Sequence, residues 1–461
     1  MVHLGVGAFH RAHQAWYFER LNRLQPNSPW LIRGASLRSE TAARQLNPQD
    51  GLYFHVARSA EGSNISLVRS LVGVVNAFEN PAVLATAIAS ANTELVTLTI
   101  TEKGYCLNAS NRRLNLDDPA VKTDLKNLDH PRTAIGFLVA GLQQRKRSHG
   151  KPLTVLSCDN LSHNGDLSRQ AVMAMAAAHD TALANWIADN VSFPNSMVDR
   201  IAPAVTQEDR EQIQQLSGVE DDGVAVTEQF SQWVVEDNFR GEKPALDLAG
   251  VIWVDDVAAW ELRKLRLLNA AHTALACLGS WLDFKFVHEA NADPRLAAFI
   301  ATLWQECAST LSSGVVTADP TIDSTFDLSE YLASLRQRFS NPHLAHALAQ
   351  IATDSSQKLP QRILAPLQER LAQNQPVPAL TTTVAAWMCI QGGLSQSRAT
   401  IPFSDPLSKT LSDVLAKTGD CHRSRAAVII EHYPPLAALC QNPTWQDQLI
   451  TVYSDLQQGT F

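Results

Sequence analysis

A change of pattern near residue 250 constrains this chain more than any other feature. Before it, short apolar runs rich in β-branched residues alternate with longer amphipathic stretches; the runs are Val2 to Val6, Trp30 to Ala35, Leu95 to Thr101 and Pro152 to Ser157. Such alternation predicts βαβ units around a largely parallel sheet. Past the strand-like Val251 to Val254, the chain is rich in Ala, Leu and Gln with Pro and Gly punctuation, which predicts a helical second domain. Its most persuasive helix is Trp260 to Leu282. The expected class is α/β plus α, with one domain over 1–249 and a mostly helical one over 250–461.

Composition narrows the function classes. The 461 residues are 45% hydrophobic and 18% charged, which excludes a disordered chain and leaves room for two or three domains. With 38 Lys+Arg against 46 Asp+Glu, the formal charge of -8 argues against a partner built of phosphate backbones or an anionic membrane. Seven scattered cysteines with no CxxC pair suggest a reducing compartment rather than a disulfide framework or a zinc knuckle. No apolar run is long enough to span a bilayer and no leader pattern opens the sequence, so a cytoplasmic protein is expected. The basic cluster Arg145 to Lys151 reads as a solvated helix end.

In open α/β sheets ligands sit at the carboxyl ends of the strands, which directs attention to Gly5 to His10, Thr101 to Tyr105 and Ser157 to Asn164. In Gly5-Val-Gly7-Ala8-Phe9-His10, two glycines permit a tight turn and close backbone approach to a pyrophosphate. His10 replaces the third glycine of the dinucleotide fingerprint, so an ordinary strand-to-helix turn explains the residues equally well. His10 and His13 have no acidic or sulfur partner in sequence, and a metal site is not indicated. At the end of the next run, Asp159 and Asn160 suit helix capping, and Asn160 also suits donation to a substrate oxygen; Cys158 reads as a small buried residue.

On the helix Trp260 to Leu282, a rotation of about 100° per residue puts Lys264, Asn269 and His272 within an arc of about 140°. Amine, amide and imidazole converging there would supply what oxidation of a hydroxyl needs: a base, a donor to the developing alkoxide and an orienting group. The bland alternative is a Glu261/Lys264 surface pair with a satisfied core histidine.

These pieces occur in one order that resembles the mannitol dehydrogenase family, the polyol-specific long-chain dehydrogenases, from Val2 to about Arg362. The motifs that carry the resemblance are G-V-G-A-F-H-R-A-H-Q (5–14), T-E-K-G-Y (101–105), S-C-D-N (157–160), F-P-N-S-M-V-D-R-I (193–201), Q-W-V-V-E-D-N-F (232–239), K-L-R-L-L-N-A-A-H (264–272) and K-L-P-Q-R (358–362). The resemblance implies a Rossmann-like first domain, with the active site in the cleft it forms with the second. It implies an NAD cofactor contacted from Gly5, Gly7, Ala8, Phe9, Arg38, Thr101 and Glu102. Lys264 would be the base, needing desolvation or a neighbouring cation because an ordinary lysine is a poor base at neutral pH. Asn160 and Asn269 would polarise the reacting oxygen without a metal ion, and Glu261 would pass the proton to solvent. Asp199, Lys358 and His272 would bind the substrate's hydroxyls or polar end.

The departures from the family bear on substrate and cofactor. The chain starts on its first strand where relatives carry a further N-terminal segment, Gln350 stands where mannitol enzymes have an arginine, and Asp354-Ser355-Ser356 replaces D-G-S. In T-E-K103-G-Y-C and the stretch through K-L-P-Q-R the chain is closer to the fructuronate reductases (mannonate oxidoreductases), and Lys103 offers a cation to a carboxylate substrate, unless it is simply an exposed loop charge. No acidic residue follows the second strand, and Arg38 suits a 2′-phosphate, which keeps NADP open beside NAD. The expectation is a polyol or aldonate dehydrogenase; the alternative is a catalytically idle relative that senses sugar or nucleotide.

Overall fold

The computed structural model describes residues 1–108, 111–311, 327–391, 397, 401 and 404–461. Two compact units divide the chain, Met1–Ala258 and Ala259–Phe461. All strands lie in the first: β1 (Val2–Leu4), β2 (Ile32–Ser36), β3 (Tyr53–Ser59), β4 (Gly62–Val68), β5 (Leu71–Asn76), β6 (Leu95–Leu98), β7 (Leu153–Ser157), β8 (Val191–Ser192), β9 (Ser196–Asp199), β10 (Ala225–Glu228), β11 (Gln232–Glu236) and β12 (Ile252–Val254).

A six-stranded sheet in the order β5-β2-β1-β6-β7-β8 is parallel throughout. Its central strands are buried on both faces, as crossover helices require, which is why β1, β6 and β7 read as mostly apolar runs broken only by His3, Thr97, Thr154 and Ser157. Val2, Leu4, Val96, Leu98, Leu153 and Val155 pack with the helices Pro81–Ala89, Ala134–Ser148 and Asn164–His179 into one core. On the opposite face, the helix Gln14–Leu24 packs with Ile32, Leu71, Leu156 and Trp233 into a second core. Winding starts at β1, runs outward to β2 and β5, then returns to β6 on the other side of β1, so the topological switch lies between β1 and β6.

Two small three-stranded sheets complete this unit, in the orders β10-β3-β4 and β12-β11-β9. Neither was anticipated in the sequence: β3 and β4 pair as a hairpin whose partly exposed faces carry mixed residues, and β9 to β11 are short. The run Val251 to Val254 is present as β12, pairs with β11 and belongs to the first unit.

Among the described residues the second unit is helical, apart from an isolated bridge between Phe286 and Ala347. Its centre is the helix Ala270–Trp281, buried at every position and surrounded by the helices Pro294–Ala308 and Pro378–Gln391, which accounts for its Ala-rich, charge-free sequence. Six cysteines are buried or half-buried and Cys421 is exposed; all seven are free thiols. No helix among the described residues is long and apolar enough to cross a membrane.

One expectation from the basic cluster is corrected. Arg145 is fully buried at the end of the helix Ala134–Ser148, where its guanidinium donates to the carbonyls of Ser90 (2.8 Å), Lys151 (2.8 Å) and Pro152 (2.9 Å). It fastens the approach to β7 rather than facing solvent.

Candidate active site

In the first unit the candidate residues gather along one edge of the large sheet, because β2, β1, β6 and β7 are adjacent and parallel. Gly5 follows β1 with φ +95°, and a Cβ on it would stand 2.2 Å from the Thr99 carbonyl oxygen, so only glycine fits. Gly7 is exposed, and a Cβ there would meet nothing nearer than 3.8 Å, which leaves open space over the turn. Ala8 is exposed and Phe9 half-buried, its ring stacked on His13 at 5.2 Å.

His10, in the slot of the missing third glycine, stacks on His3 of β1 with ring centroids 3.4 Å apart. The two rings occupy the space that a glycine would have left for close helix–strand packing, and burial holds both well below the ordinary imidazole range, so both are neutral. His3 reaches across the switch to Thr97 (2.8 Å) and Thr99 (2.9 Å), joining β1 to the strand beside it.

Arg38 is exposed just beyond β2, near enough to Cys106 to oppose the burial that pushes that thiol up to about 11. The expected strand Leu95 to Thr101 ends at Leu98, and Thr101–Gly104 forms one helical turn that exposes Thr101, Glu102 and Lys103. Asp159 stands at this turn. Instead of capping the helix after β7, its buried carboxylate accepts from the N–H groups of Ile100 (3.1 Å) and Thr101 (2.8 Å) and from the Tyr105 hydroxyl (2.7 Å). Asn160 follows it, exposed at the carboxyl end of β7. Asp199 is buried at the end of β9, opposite Gln232 of β11 and near the Tyr17 phenol, in a sheet separate from the main edge.

The second unit holds the base candidates, and their geometry differs from the expectation. The segment Trp260 to Leu282 is not one α-helix: Ala258–Arg263 is α, Lys264–Asn269 is π, and Ala270–Trp281 is α again. Ala270 N–H donates to the Leu265 carbonyl five residues back, and Trp304 Nε1 donates to the Leu267 carbonyl at 2.9 Å. Residues five apart diverge by about 140° in an α-helix and by about 50° in π geometry, with its roughly 4.4 residues per turn. The π segment therefore brings Lys264 and Asn269 toward one face, and His272 follows one α-turn later.

Lys264 is buried rather than at the surface, and Glu261, one turn before it, is half-buried. His272 is buried against Phe339 (4.8 Å) and His346 (5.1 Å), and its Nε2 has no hydrogen-bond partner, so it is not a satisfied core histidine. Burial, then the neighbouring His346, Arg338, Arg362 and Lys264, hold it well below the ordinary imidazole range, so the ring is neutral.

Lys358 lies just before a second π segment, Pro360–Leu364, that packs against the first. Pro360 has no N–H for the Ser356 carbonyl, and that carbonyl instead accepts from the Tyr433 hydroxyl at 2.5 Å. The Lys358 amine donates to the carbonyls of Ile351 (3.2 Å) and Thr353 (2.5 Å). Burial lowers it to about 8, with Arg362 adding to the shift and Asp354 and Asp405 opposing it. Gln350 is exposed.

Sequence reasoning missed Asp159 as an anchor and gave no role to Tyr105, Arg338, His346, Arg362 or Tyr433. Pro360 inside a helical pattern was the available signal for the second π segment. Arg338 and His346 become relevant through tertiary packing alone.

Comparison with known proteins places this geometry. The family model described as the mannitol dehydrogenase Rossmann domain matches residues 1–248, and that of the mannitol dehydrogenase C-terminal domain matches 256–457. The D-mannonate oxidoreductase of Escherichia coli (strain K12) is 38% identical over 92% of this chain and 87% of its own length. The mannitol 2-dehydrogenase of Phaeosphaeria nodorum is 36% identical over 89% of this chain and 72% of its own. Among solved structures, the Pseudomonas fluorescens mannitol 2-dehydrogenase in ternary complex with NAD and D-mannitol superposes with a TM-score of 0.87 at 32% identity, covering 99% of this chain and 92% of that one. With both domain models matched in order and relatives similar over most of their length, the chain belongs to the mannitol dehydrogenase family.

Proposed function

We propose that the protein is an NAD-dependent dehydrogenase that interconverts a secondary alcohol of a polyol or sugar acid with the corresponding ketone, with mannonate/fructuronate and mannitol/fructose as the leading pairs. The observation that carries this reading is the π segment, which brings a buried amine and an amide onto one face beside an imidazole whose Nε2 is unsatisfied. NAD, when bound, supplies the hydride acceptor. The exposed glycine turn after β1 fits such a group, since Gly5 admits no side chain and Gly7 leaves its surroundings open.

In this reading Lys264 takes the hydroxyl proton, and its burial is the surrounding that a lysine base requires. Asn269 donates to the reacting oxygen as charge builds on it, and the same role is assigned to Asn160. His272, neutral, orients a substrate hydroxyl through Nε2. Glu261, one turn before Lys264, carries the proton outward. Asp199 and Lys358 hold more distant hydroxyls, Lys358 can also pair with a carboxylate, and Lys103 favours the acid. The cofactor is bound along Gly5, Gly7, Ala8, Phe9, Arg38, Thr101 and Glu102.

The test is NADH or NADPH formation with a panel of hexitols and aldonates. Turnover with an aldonate or a hexitol and NAD is expected. Binding without turnover across the panel would point to a sensor, and a preference for NADP would reassign Arg38 to the 2′-phosphate.

A further inference from the structure

Thr101 has φ +62°, a conformation that a β-branched residue adopts at a cost and keeps only when its surroundings hold it there. It opens the turn that carries Glu102 and Lys103. Asp159, fifty-eight residues later in sequence, stands at the end of the neighbouring strand β7 with its carboxylate turned toward β6. One oxygen accepts from Thr101 N–H at 2.8 Å; the other accepts from Ile100 N–H at 3.1 Å and from Tyr105 O–H at 2.7 Å. Tyr105 is fully buried and its hydroxyl also meets Ser157 Oγ at 2.6 Å. The turn has little slack, since a Cβ on Gly104 would lie 2.8 Å from the Ile100 side chain. Behind Asp159, its own carbonyl accepts from Asn164 Nδ2 at 2.9 Å, and the same amide holds Ser196.

We propose that Asp159 is a positioning residue: its carboxylate ties the loop after β6 to the end of β7 and holds Thr101 left-handed, so that Glu102 and Lys103 are presented beside Asn160. The assignment rests on the proposed function for its catalytic consequence, but its geometry does not. An Asp159→Asn change keeps the acceptor for Thr101 yet turns an amide donor toward the N–H of Ile100. The turn then relaxes. A glycine at 101 adopts positive φ freely and no longer needs the anchor.

The experiment is a double-mutant cycle of Asp159→Asn and Thr101→Gly in the full-length protein, read by amide hydrogen exchange at Ile100 and Thr101 and by kcat and KM with NAD and the preferred substrate. Asp159→Asn alone is expected to speed exchange at both amides at least tenfold and to lower kcat/KM for NAD at least tenfold. In the Thr101→Gly background the same change is expected to cost less than threefold in kcat/KM. Equal losses in both backgrounds, or unchanged exchange, would overturn the proposal, because a merely structural carboxylate is not rescued at residue 101. Should Asp159→Asn fail to fold, Tyr105→Phe weakens the same anchor while leaving both backbone bonds; a smaller loss, again relieved by Thr101→Gly, is expected, and no relief overturns the idea. If the unmodified protein oxidises no member of the panel, the functional reading fails while the exchange measurement still decides the role of Asp159.

Discussion

Lys264 and Lys358 both withdraw an amine from bulk water, and the proposed roles ask opposite things of them. Lys264 must give up its proton to act as a base, so Lys264→Ala is expected to lower kcat by about 10²- to 10⁴-fold while leaving the NADH dissociation constant nearly unchanged. Turnover within a few-fold of the parent enzyme would remove it from that role. Lys358 must instead keep its proton. Two of its N–H groups are committed to the Ile351 and Thr353 carbonyls, so only the ammonium form has a third to offer a ligand. With its pKa lowered to about 8, substrate KM is expected to rise as pH climbs through 8, and the rise should vanish in Lys358→Met. Stability runs the other way. Because the folded value lies below the unfolded one of 10.5, carrying the proton costs folding energy below pH 8, a cost relieved as pH rises toward 10.5. Lys103 is exposed on its turn, and Lys103→Met is expected to lower kcat/KM for mannonate about tenfold or more while sparing mannitol. Equal losses on the two substrates would leave a plain polyol enzyme. Gly5 was legible in sequence because its meaning is local. Asp159 was not, since its donors at Ile100 and Thr101 come from another strand.

Among elements, the two π segments separate what periodicity could show from what it could not. A continuous apolar pattern announced the helix from Trp260 onward, and Lys264, Asn269 and His272 could be placed on it. The extra residue per turn was invisible, because a π segment differs from an α-helix in hydrogen bonding before it differs in composition. At the second segment the sequence was more explicit, since Pro360 removes the bond that an α-helix would give Ser356. Pro360→Ala restores a donor that competes with the Tyr433 hydroxyl for that carbonyl. The segment is then expected to relax toward α geometry, displacing Lys358 and raising substrate KM several-fold with kcat less affected. An unchanged KM would show that the π turn does not set the position of Lys358. A similar limit applies to the turn at Thr101–Gly104: the apolar run continued past Leu98, but the backbone there turns where Ile100 and Thr101 donate to a distant carboxylate.

At the scale of the molecule, the doubly wound sheet and the helical remainder were readable from pattern, whereas the two small sheets depend on pairings such as β3 with β10, more than 160 residues apart. No group of three or more metal-ligating side chains gathers among the described residues. Dialysis against EDTA is therefore expected to leave activity unchanged, and loss of turnover restored by zinc would redirect the chemistry to a metal. Because every strand among the described residues finds its partners before residue 259, the first unit has all these sheet pairings as soon as that much chain has left the ribosome. At about 5–20 residues per second, the remaining 203 residues (461 − 258) take about 10–40 s to synthesise, ample time for the nucleotide-binding half to close first. The helical half is thus made after the first unit's sheets have all their strands, so the order of synthesis favours completion of the sheets first.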